Sequence, residues 1–364
     1  MKLLIIDRYI IKKFLITYFF AIAMICVIVV IFDAAENAQD FLAAHISFSK
    51  ILTGYYLNFI PYFVNQLSGL FTFIAVIFFT SKMAYDTEII AILSSGVSFK
   101  RLMWPYFVAA FVIAAISLTL NLFVIPETNK RRIDFDNTYR NANKREQNMS
   151  TGNVYRQIGS NTFAYIKDYY PASKRASYLS IESYDGGRII SAVEAQDATY
   201  NEESGRWSAA KYITRVFDGE QENFVKHEER LDTAINLTAQ ELGKTEDLVQ
   251  ILNAVELSHF IDQQRYKGSD MVVLFEIESY SRYAYPFSTF ILTLIGVSLS
   301  SRKVRGGTGL HIGVGIALCF SYIVLMRFAG EFAKTNLLPS WLAIWSPNII
   351  YLIIGIYLYK KAPK

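Results

Sequence analysis

The sequence has very few of the residues that cross-link small secreted proteins or hold metals. Its 364 residues include only two cysteines and four histidines. Both cysteines lie inside apolar runs, which indicates packing residues and no disulfide framework. The histidines are scattered without the spacing of a metal site. The residues concerned are Cys26, Cys319, His45, His227, His259 and His311. No metal site is therefore expected on this chain.

Motifs for nucleotide and covalent chemistry are also absent. The chain contains no nucleophile elbow and no GxxxxGKS or GxxxxGKT phosphate loop. The glycine-rich run Gly306–Gly309 lacks the Lys and hydroxyl residue of a phosphate cradle, so it indicates a tight turn. We expect no enzymatic activity and no cofactor on this chain. If the protein does energised work, a partner binds the ATP.

Six long apolar runs are what the sequence does contain. Each approaches or exceeds the roughly 17–25 residues that a helix needs to cross the hydrocarbon core. Uncharged segments of this length satisfy their backbone polar groups only as helices. The runs are Phe14–Phe32, a segment between Lys50 and Lys82, Leu102–Pro126, Tyr283–Ser301, Leu310–Met326 and Leu337–Tyr359. The sequence predicts an α-helical membrane protein with three spans in 1–126, three in 283–364, and a soluble domain in 127–282.

Positive charge divides the short loops into two groups. The richer group comprises Lys2, Arg8, Lys12, Lys13, Lys82, Lys100, Arg101, Arg302, Lys303, Arg305, Lys360, Lys361 and Lys364, and the poorer group comprises Lys50, Arg327 and Lys334. The positive-inside rule then places both termini in the cytoplasm and the insertion outside. We interpret the first run as an uncleaved span, because it is long for a signal peptide and no persuasive cleavage site closes it.

The insertion changes to strand-like patterning at Asn153. Aromatic and β-branched residues alternate with polar ones in short runs, which Asp185–Gly187 and Asn201–Gly205 separate as turns. This pattern predicts an antiparallel all-β domain. Its apolar face would either close over a core or form a cleft for an apolar ligand, and composition favours the closed core. A helix is predicted next, over Lys244–Gln264.

A short amphipathic segment near 85–96 lies between the second and third spans. Asp86 or Thr87 can cap a helix there, Glu88 suits the positive end of its dipole, and Gly96 can end it in a left-handed turn. One apolar face is shared by Ile89, Ile92 and Leu93. Nothing in the sequence indicates what covers that face or pairs with Glu88. Two interpretations remain open: a helix on the membrane surface, or a coupling helix that docks into a soluble ATPase.

Several segments resemble the LptF/LptG family, the permeases of lipopolysaccharide export. They are Leu4–Ile10, Asp86–Ser98, Leu257–Ile261, Tyr266–Asp270, Tyr283–Pro286 and Trp341–Asn348. The resemblance covers the whole chain and includes its topology. The opening Asp7-Arg8-Tyr9-Ile10 and the strand Asn161–Ile166 look closer to the G-type subunit, LptG.

The resemblance implies an inner-membrane complex. This chain would face a second permease subunit (LptF-like) above a soluble ATPase dimer (LptB-like) that binds the ATP. A single-span accessory subunit (LptC-like) would relay lipopolysaccharide into a periplasmic bridge, and no nucleic acid would take part. The periplasmic domain would be a β-jellyroll whose groove receives acyl chains. The ATPase-coupling residues would be Asp86, Glu88, Ile89, Ile92, Leu93 and Gly96.

Candidates for the lipid path fall in two places. In the β-domain they are Phe163, Tyr165, Ile181 and Ile190, and in the membrane unit they are Asp33, Glu36, Asp40 and Arg327. Members of the family can carry basic residues near the outer end of the first span, suited to lipid phosphates. Here no Lys or Arg occurs between Lys13 and Lys50. The opposing permease or bridging cations would then supply positive charge, or the lipid has fewer phosphates.

Arg327 and Glu331 lie one helical turn apart near the outer end of the fifth span. They fit either an interfacial ion pair or a contribution to the lipid path. At the level of the whole chain, the alternative to a permease is a membrane-anchored assembly or sensor protein with a ligand-binding periplasmic β-domain. A sensor has no need of a glutamate-containing helix fitted to an ATPase.

Overall fold

A computed structural model describes residues 4–140, 153–171, 173–219, 221–238, 241–242, 245–269, 271–301 and 308–362. The expected turn at Gly306 and Gly307 and the neighbouring basic residues at 302, 303 and 305 lie outside the described residues. The chain forms two compact units. One comprises Met1–Phe135 with Glu276–Lys364, and the other comprises Asp136–Phe275.

The first unit is built from long apolar helices. Six helices in the described part of the chain are long and apolar enough to cross a membrane, as predicted. Spans 1 to 6 are Ile5–Glu36, Phe48–Tyr85, Phe99–Tyr139, Val272–Ser300, Thr308–Lys334 and Ser340–Lys361. Short helices at Ala38–Ala43 and Glu88–Ser94 lie in the connections that follow spans 1 and 2.

The helices extend beyond the apolar runs that predicted them. Span 3 passes through a π-helical turn at Leu120–Val124 and continues as the helix Ile125–Phe135. An i,i+4 ion pair between Arg131 and Glu127 supports this polar extension at its exposed face. Hydropathy marks only the part of a helix that suits hydrocarbon, whereas the backbone hydrogen bonding continues into the polar turns.

Aromatic and aliphatic side chains fill the interior of the bundle. Ile10, Phe14 and Tyr106 are fully buried in one cluster, and Phe73 and Cys319 belong to a second. Cys319 is buried and Cys26 is half-buried, and both are free thiols. The spans thus pack against one another through continuous apolar contact, and span 1 contributes its N-terminal half to the first cluster.

The second unit contains an eight-stranded antiparallel sheet, which confirms the predicted β-domain. The strands are β1 Val154–Gly159, β2 Thr162–Tyr170, β3 Arg175–Asp185, β4 Arg188–Asn201, β5 Arg206–Ala209, β6 Tyr212–Asp218, β7 Gln221–His227 and β8 Leu231–Thr233. The predicted turn at Gly186 and Gly187 joins β3 to β4, and both glycines have the positive φ that this tight hairpin requires.

Strand β4 divides the sheet into two branches. Its residues Ser191–Ala195 pair with β6, and Thr199–Asn201 pair with β5. The core packs on the β5 side, where Trp207 is fully buried and donates a 3.0 Å hydrogen bond from Nε1 to the Leu237 carbonyl. Five alanines of this core lie on the strands, and their small side chains leave room for the bulky Trp207. They are Ala164, Ala176, Ala195, Ala198 and Ala209.

The prediction of one continuous helix over Lys244–Gln264 is wrong. Two helices occur instead, Thr245–Ile251 and Ala254–Tyr266. Asn253 breaks the pattern because its side chain caps the second helix, accepting hydrogen bonds from the Val255 and Glu256 backbone N–H groups at 3.0 and 2.9 Å. An apolar pattern at helical spacing does not register such an internal cap.

Candidate functional site

The helix Glu88–Ser94 begins and ends at residues with left-handed backbone. Thr87 has a φ of +64°, and its hydroxyl donates to the Asp86 carbonyl at 2.7 Å instead of capping the helix. The prediction that Asp86 or Thr87 caps through its side chain is therefore wrong. Gly96 has a φ of +87°, and its N–H bonds the Leu93 carbonyl at 3.0 Å. The predicted left-handed ending at Gly96 is confirmed.

The apolar face of this short helix packs against the bundle of its own chain. Ile89 is fully buried, and Ile92 and Leu93 are half-buried against the same cluster. That cluster includes Ile10 from span 1 and Leu102 from span 3. These three residues do share a face, but the expectation that nothing in the chain covers it is wrong. The covering residues are far away in sequence, so local spacing gave no sign of them.

Glu88 also has a partner within the chain, contrary to expectation. The Tyr9 hydroxyl donates to its carboxylate, at 3.1 Å from Oε2 and 3.3 Å from Oε1. Tyr9 lies in the first turns of span 1 and is 38% exposed. The Glu88 carboxylate is therefore held at the surface, half-buried, by a side chain 79 residues earlier.

A buried ion pair lies beside this contact. Asp7 is fully buried, and Arg101 at the start of span 3 bonds it through both guanidinium nitrogens, Nη1 to Oδ1 at 2.8 Å and Nη2 to Oδ2 at 2.6 Å. Asp7 Oδ2 also accepts the Leu4 backbone N–H at 2.9 Å. The Arg101 guanidinium lies 5.4 Å from the Trp104 ring centroid. This planar two-bond contact fixes orientation as well as distance.

The outward surface of the short helix differs from the set predicted to meet a partner. Asp86, Ile90, Ala91 and Ser94 are exposed, and the Ile90 side chain is 47% exposed. Ile89 is anchored inward, and the turn of the helix therefore places the next two residues, Ile90 and Ala91, on the outward side. The exposed surface combines an acidic edge with a small apolar patch.

Comparison with known families identifies the family of the chain. The family model described as "Lipopolysaccharide export system permease LptF/LptG" matches residues 8–361. The chain belongs to the LptF/LptG family. A comparison with curated proteins gives no match. Membership makes the chain a lipopolysaccharide export permease, a transporter subunit and not a hydrolase, and the family model does not separate the LptF from the LptG type.

The acidic residues predicted on the lipid path of this LptF/LptG chain have different surroundings. Asp33 accepts hydrogen bonds from the Tyr55 and Tyr56 hydroxyls at 3.3 and 3.0 Å. Glu36 is exposed and Asp40 is half-buried. The two tyrosines tie the end of span 1 to the π-helical turn of span 2, so Asp33 has a structural role that its sequence position did not reveal.

Arg327 and Glu331 do not form the ion pair that their spacing suggested. Glu331 instead accepts a 2.8 Å bond from Lys334. Arg327 is exposed and interacts electrostatically with Tyr62 and Tyr285 of neighbouring spans. Within the LptF/LptG bundle, Arg327 is thus a cation that its predicted acidic neighbour does not neutralise.

The four β-domain candidates do not line one groove. Ile181 pairs with Ala164 across β2 and β3 and packs on the closed core. Phe163 and Tyr165 pair with Glu182 and Ser180, so they lie on the opposite face of the sheet. Ile190 is 43% exposed near a β-bulge. Grouping these four residues by alternation fails because odd-numbered residues of β2 share a face with even-numbered residues of β3.

Phe163 and Tyr165 belong to an aromatic surface on that opposite face. Phe163 stacks on Tyr155 with ring centroids 5.5 Å apart and meets Tyr184 edge-on at 5.4 Å. The Tyr184 hydroxyl donates to Glu182 at 2.9 Å. This face is half-buried and presents ring surface, whereas the face of Ile181 is closed.

Sequence reasoning missed Asp7, Tyr9 and Arg101 as functional candidates. Arg101 appeared only as a basic residue between two apolar runs and Asp7 only in the opening that resembles the family, and their pairing spans 94 residues. One signal was available: an acidic residue among the basic residues that precede span 1 needs a partner if the helix packs. A single sequence does not say which cation supplies it.

Proposed function

We propose that this chain is one permease subunit of an ATP-driven complex that extracts lipopolysaccharide from the inner membrane. The complex would pass the lipid to a periplasmic bridge that leads towards the outer membrane. The observation that carries the proposal is the short helix Glu88–Ser94, which is anchored on the bundle by Ile89 and presents Glu88 and Ile90 outward. Such a surface suits a groove on a soluble ATPase.

The remaining parts of the complex follow from family membership and charge. Both termini and the short helix would be cytoplasmic, and the β-domain would be periplasmic, because basic residues favour the cytoplasmic loops. The partners would be an LptF-like permease, an LptB-like ATPase dimer that binds the ATP, and an LptC-like accessory subunit. The opening Asp7-Arg8-Tyr9-Ile10 supports assignment of this chain to the G type.

Replacing Glu88 tests the coupling role. A hydrogen bond to a charged group contributes about 1.5–3 kcal/mol, so we expect Glu88→Ala to weaken ATPase binding by about tenfold or more while the subunit still inserts. Glu203→Ala removes an exposed carboxylate from the turn after β4 and serves as the matched control. Affinity is measured by titrating the purified permease pair with ATPase. Unchanged binding of Glu88→Ala would support the membrane-anchored sensor instead.

On the lipid path, the proposal assigns acyl-chain contact to the aromatic surface of Phe163 and Tyr165. Half-buried rings offer apolar area, and burial of each methylene contributes about 0.8 kcal/mol. Photo-crosslinkers at these two positions should capture lipopolysaccharide when ATP is present, whereas one at Ile181, on the closed face, should capture none. Equal capture at all three positions would show that the sheet opens, and no capture at Phe163 and Tyr165 would remove this surface from the path.

A further inference from the structure

The start of span 1 makes two polar contacts that the permease function alone does not explain, one with the short helix and one with the start of span 3. Tyr9 bonds Glu88, and Asp7 bonds Arg101. All four residues belong to three segments, the start of span 1, the short helix and the start of span 3. Each contact therefore crosses between segments that are separate in sequence.

The burial of Asp7 shows that its contact is built and not incidental. Its side chain has no exposed surface, and three hydrogen bonds satisfy its two oxygens. A carboxylate is retained inside a protein only when it is paired and hydrogen-bonded, because desolvation is costly. The guanidinium fork holds the Asp7 plane in one orientation.

Tyr9 lies two residues after Asp7 on the same helix, so fixing the orientation of Asp7 also fixes the direction of Tyr9. Ile10 follows directly and is fully buried in the cluster that receives Ile89. Asp7 and Ile10 are three residues apart and lie on the same buried face of the helix, so the ion pair and the packing together fix the rotation of span 1 about its axis. Tyr9 is left on the side that meets Glu88.

We propose that Tyr9 and the Asp7–Arg101 pair form a clamp that positions the short helix, and Glu88 in particular, for its ATPase. The clamp makes the start of span 1 a part of the coupling device. Tyr9, Asp7 and Arg101 are positioning residues that act through Glu88. The inference rests on the proposed coupling role of Glu88 and adds the residues that preset its geometry.

Preorganisation gives the clamp a measurable effect. A free glutamate side chain samples many rotamers, and ordering it on binding costs affinity. Tyr9 donates to the Glu88 carboxylate at an exposed site, where water competes for the bond, so its net effect is modest and we expect Tyr9→Phe to weaken ATPase binding about two- to tenfold. Tyr283→Phe is the matched control, since Tyr283 is 46% exposed on span 4 and lies outside the clamp.

A double-mutant cycle separates positioning from general damage. Tyr9→Phe and Glu88→Ala are made singly and together in the full permease–ATPase complex, and the ATPase affinity of each is measured. If Tyr9 acts through Glu88, its replacement has no further effect in the Glu88→Ala background. Equal effects of Tyr9→Phe in both backgrounds, or unchanged or tighter binding by Tyr9→Phe where Glu88→Ala weakens binding, would overturn the clamp.

A second measurement needs no ATPase and distinguishes failure of the clamp from failure of the coupling role. Amide hydrogen exchange of residues 88–94 is measured in the full chain without partners. Tyr9→Phe and Arg101→Lys should each accelerate that exchange, and Tyr283→Phe should not. Faster exchange in Tyr9→Phe, together with unaltered ATPase affinity of Glu88→Ala, would retain the clamp as a contact within the chain and reject the coupling role of Glu88. Unaltered exchange in both variants would reject the clamp itself.

Discussion

The ion pair Arg101–Asp7 of the bundle and the ion pair Lys267–Glu241 of the β unit each have a buried member, and the two pairs differ in geometry. In the bundle, Arg101 holds the fully buried Asp7 through two nearly equal bonds while remaining 27% exposed itself. In the β unit, Lys267 is only 3% exposed and bonds both oxygens of Glu241, at 2.7 and 3.0 Å. A guanidinium fixes a plane, whereas an ammonium is a compact point charge without a preferred plane.

This difference in geometry agrees with the different elements that the two pairs connect. The Lys267 backbone carbonyl accepts the Gln157 N–H at 3.1 Å, so this residue joins strand β1 to the end of the helix Ala254–Tyr266. Its charge pair closes a domain interior. Asp7–Arg101 instead orients a helix next to an exposed surface. If the short helix docks on an ATPase as proposed, the fixed plane of the Asp7–Arg101 pair would set its direction, which the Lys267–Glu241 pair has no need to do inside a closed domain.

Removal of Lys267 should have the largest effect on stability. Breaking a buried pair by deleting one partner costs about 3–5 kcal/mol, because the other charge is left uncompensated. We expect Lys267→Met to accelerate amide exchange throughout β1 and the helix Ala254–Tyr266 of the full chain. Arg101→Met should perturb the bundle less, because water reaches the partly open side of its pair.

The double variant Lys267→Met with Glu241→Leu sharpens this comparison. It leaves no buried charge, so it should recover most of the lost stability. If the double variant were as unstable as Lys267→Met alone, packing of the lysine stem would be the main contribution. The proposed difference between the Lys267–Glu241 pair, which stabilises a domain interior, and the Asp7–Arg101 pair, which orients a helix, would then be wrong.

Replacement of two adjacent residues of the short helix, Ile89 and Ile90, should have different effects on stability. Ile89→Ala removes a fully buried side chain and should cost about 2–5 kcal/mol of local stability, measured by thermal unfolding in detergent. Ile90→Ala removes an exposed one and should change stability by no more than about 0.5 kcal/mol. Ile90→Ala should nevertheless weaken ATPase binding. Equal destabilisation by the two variants would contradict the assignment of inward and outward faces.

The architecture could be predicted from the sequence wherever a single local property of the chain determines it. Six spans follow from apolar length, the β-domain from period-two alternation, and the β3–β4 hairpin from Gly186 and Gly187. The helix break at Asn253 was missed, because a polar side chain that caps its own backbone resembles any solvent-exposed residue until its hydrogen bonds are seen.

The site was predicted only in part, for a different physical reason. Local spacing located the helix and the shared face of Ile89, Ile92 and Leu93, but not which side of the helix faces the bundle. That direction depends on packing against residues distant in sequence, such as Ile10 and Leu102, and the polar contacts beside it cross 79 and 94 residues. Pairing over such distances is set by the packed bundle as a whole.

The smallest expected effect concerns an exposed ion-pair network, which contrasts with both buried pairs. Arg215 of β6 bonds Glu222 of β7 at 2.5 Å and Glu194 of β4 at 2.7 Å. The hydrogen bond from Arg215 holds the pKa of the Glu222 carboxyl below its ordinary value. Because the folded-state pKa is lowered, the pair stabilises the hairpin fully above the ordinary pKa and loses this effect as pH falls through the lowered one.

A carbon-13 NMR titration of glutamate-labelled full-length protein tests that sign. Glu222→Gln identifies the resonance, and in Arg215→Gln its midpoint should move up towards the ordinary value of a glutamate. Salt should also move the Glu222 midpoint upward, but by less. The Arg215 and Glu222 side chains are 35% and 40% exposed, so dissolved ions screen their attraction. Glu203, in the turn after β4, supplies the control resonance and should not respond to Arg215→Gln. A Glu222 midpoint that is unaltered in Arg215→Gln would mean that Arg215 serves Glu194 alone, and the hairpin would then depend on its backbone pairing and not on charge.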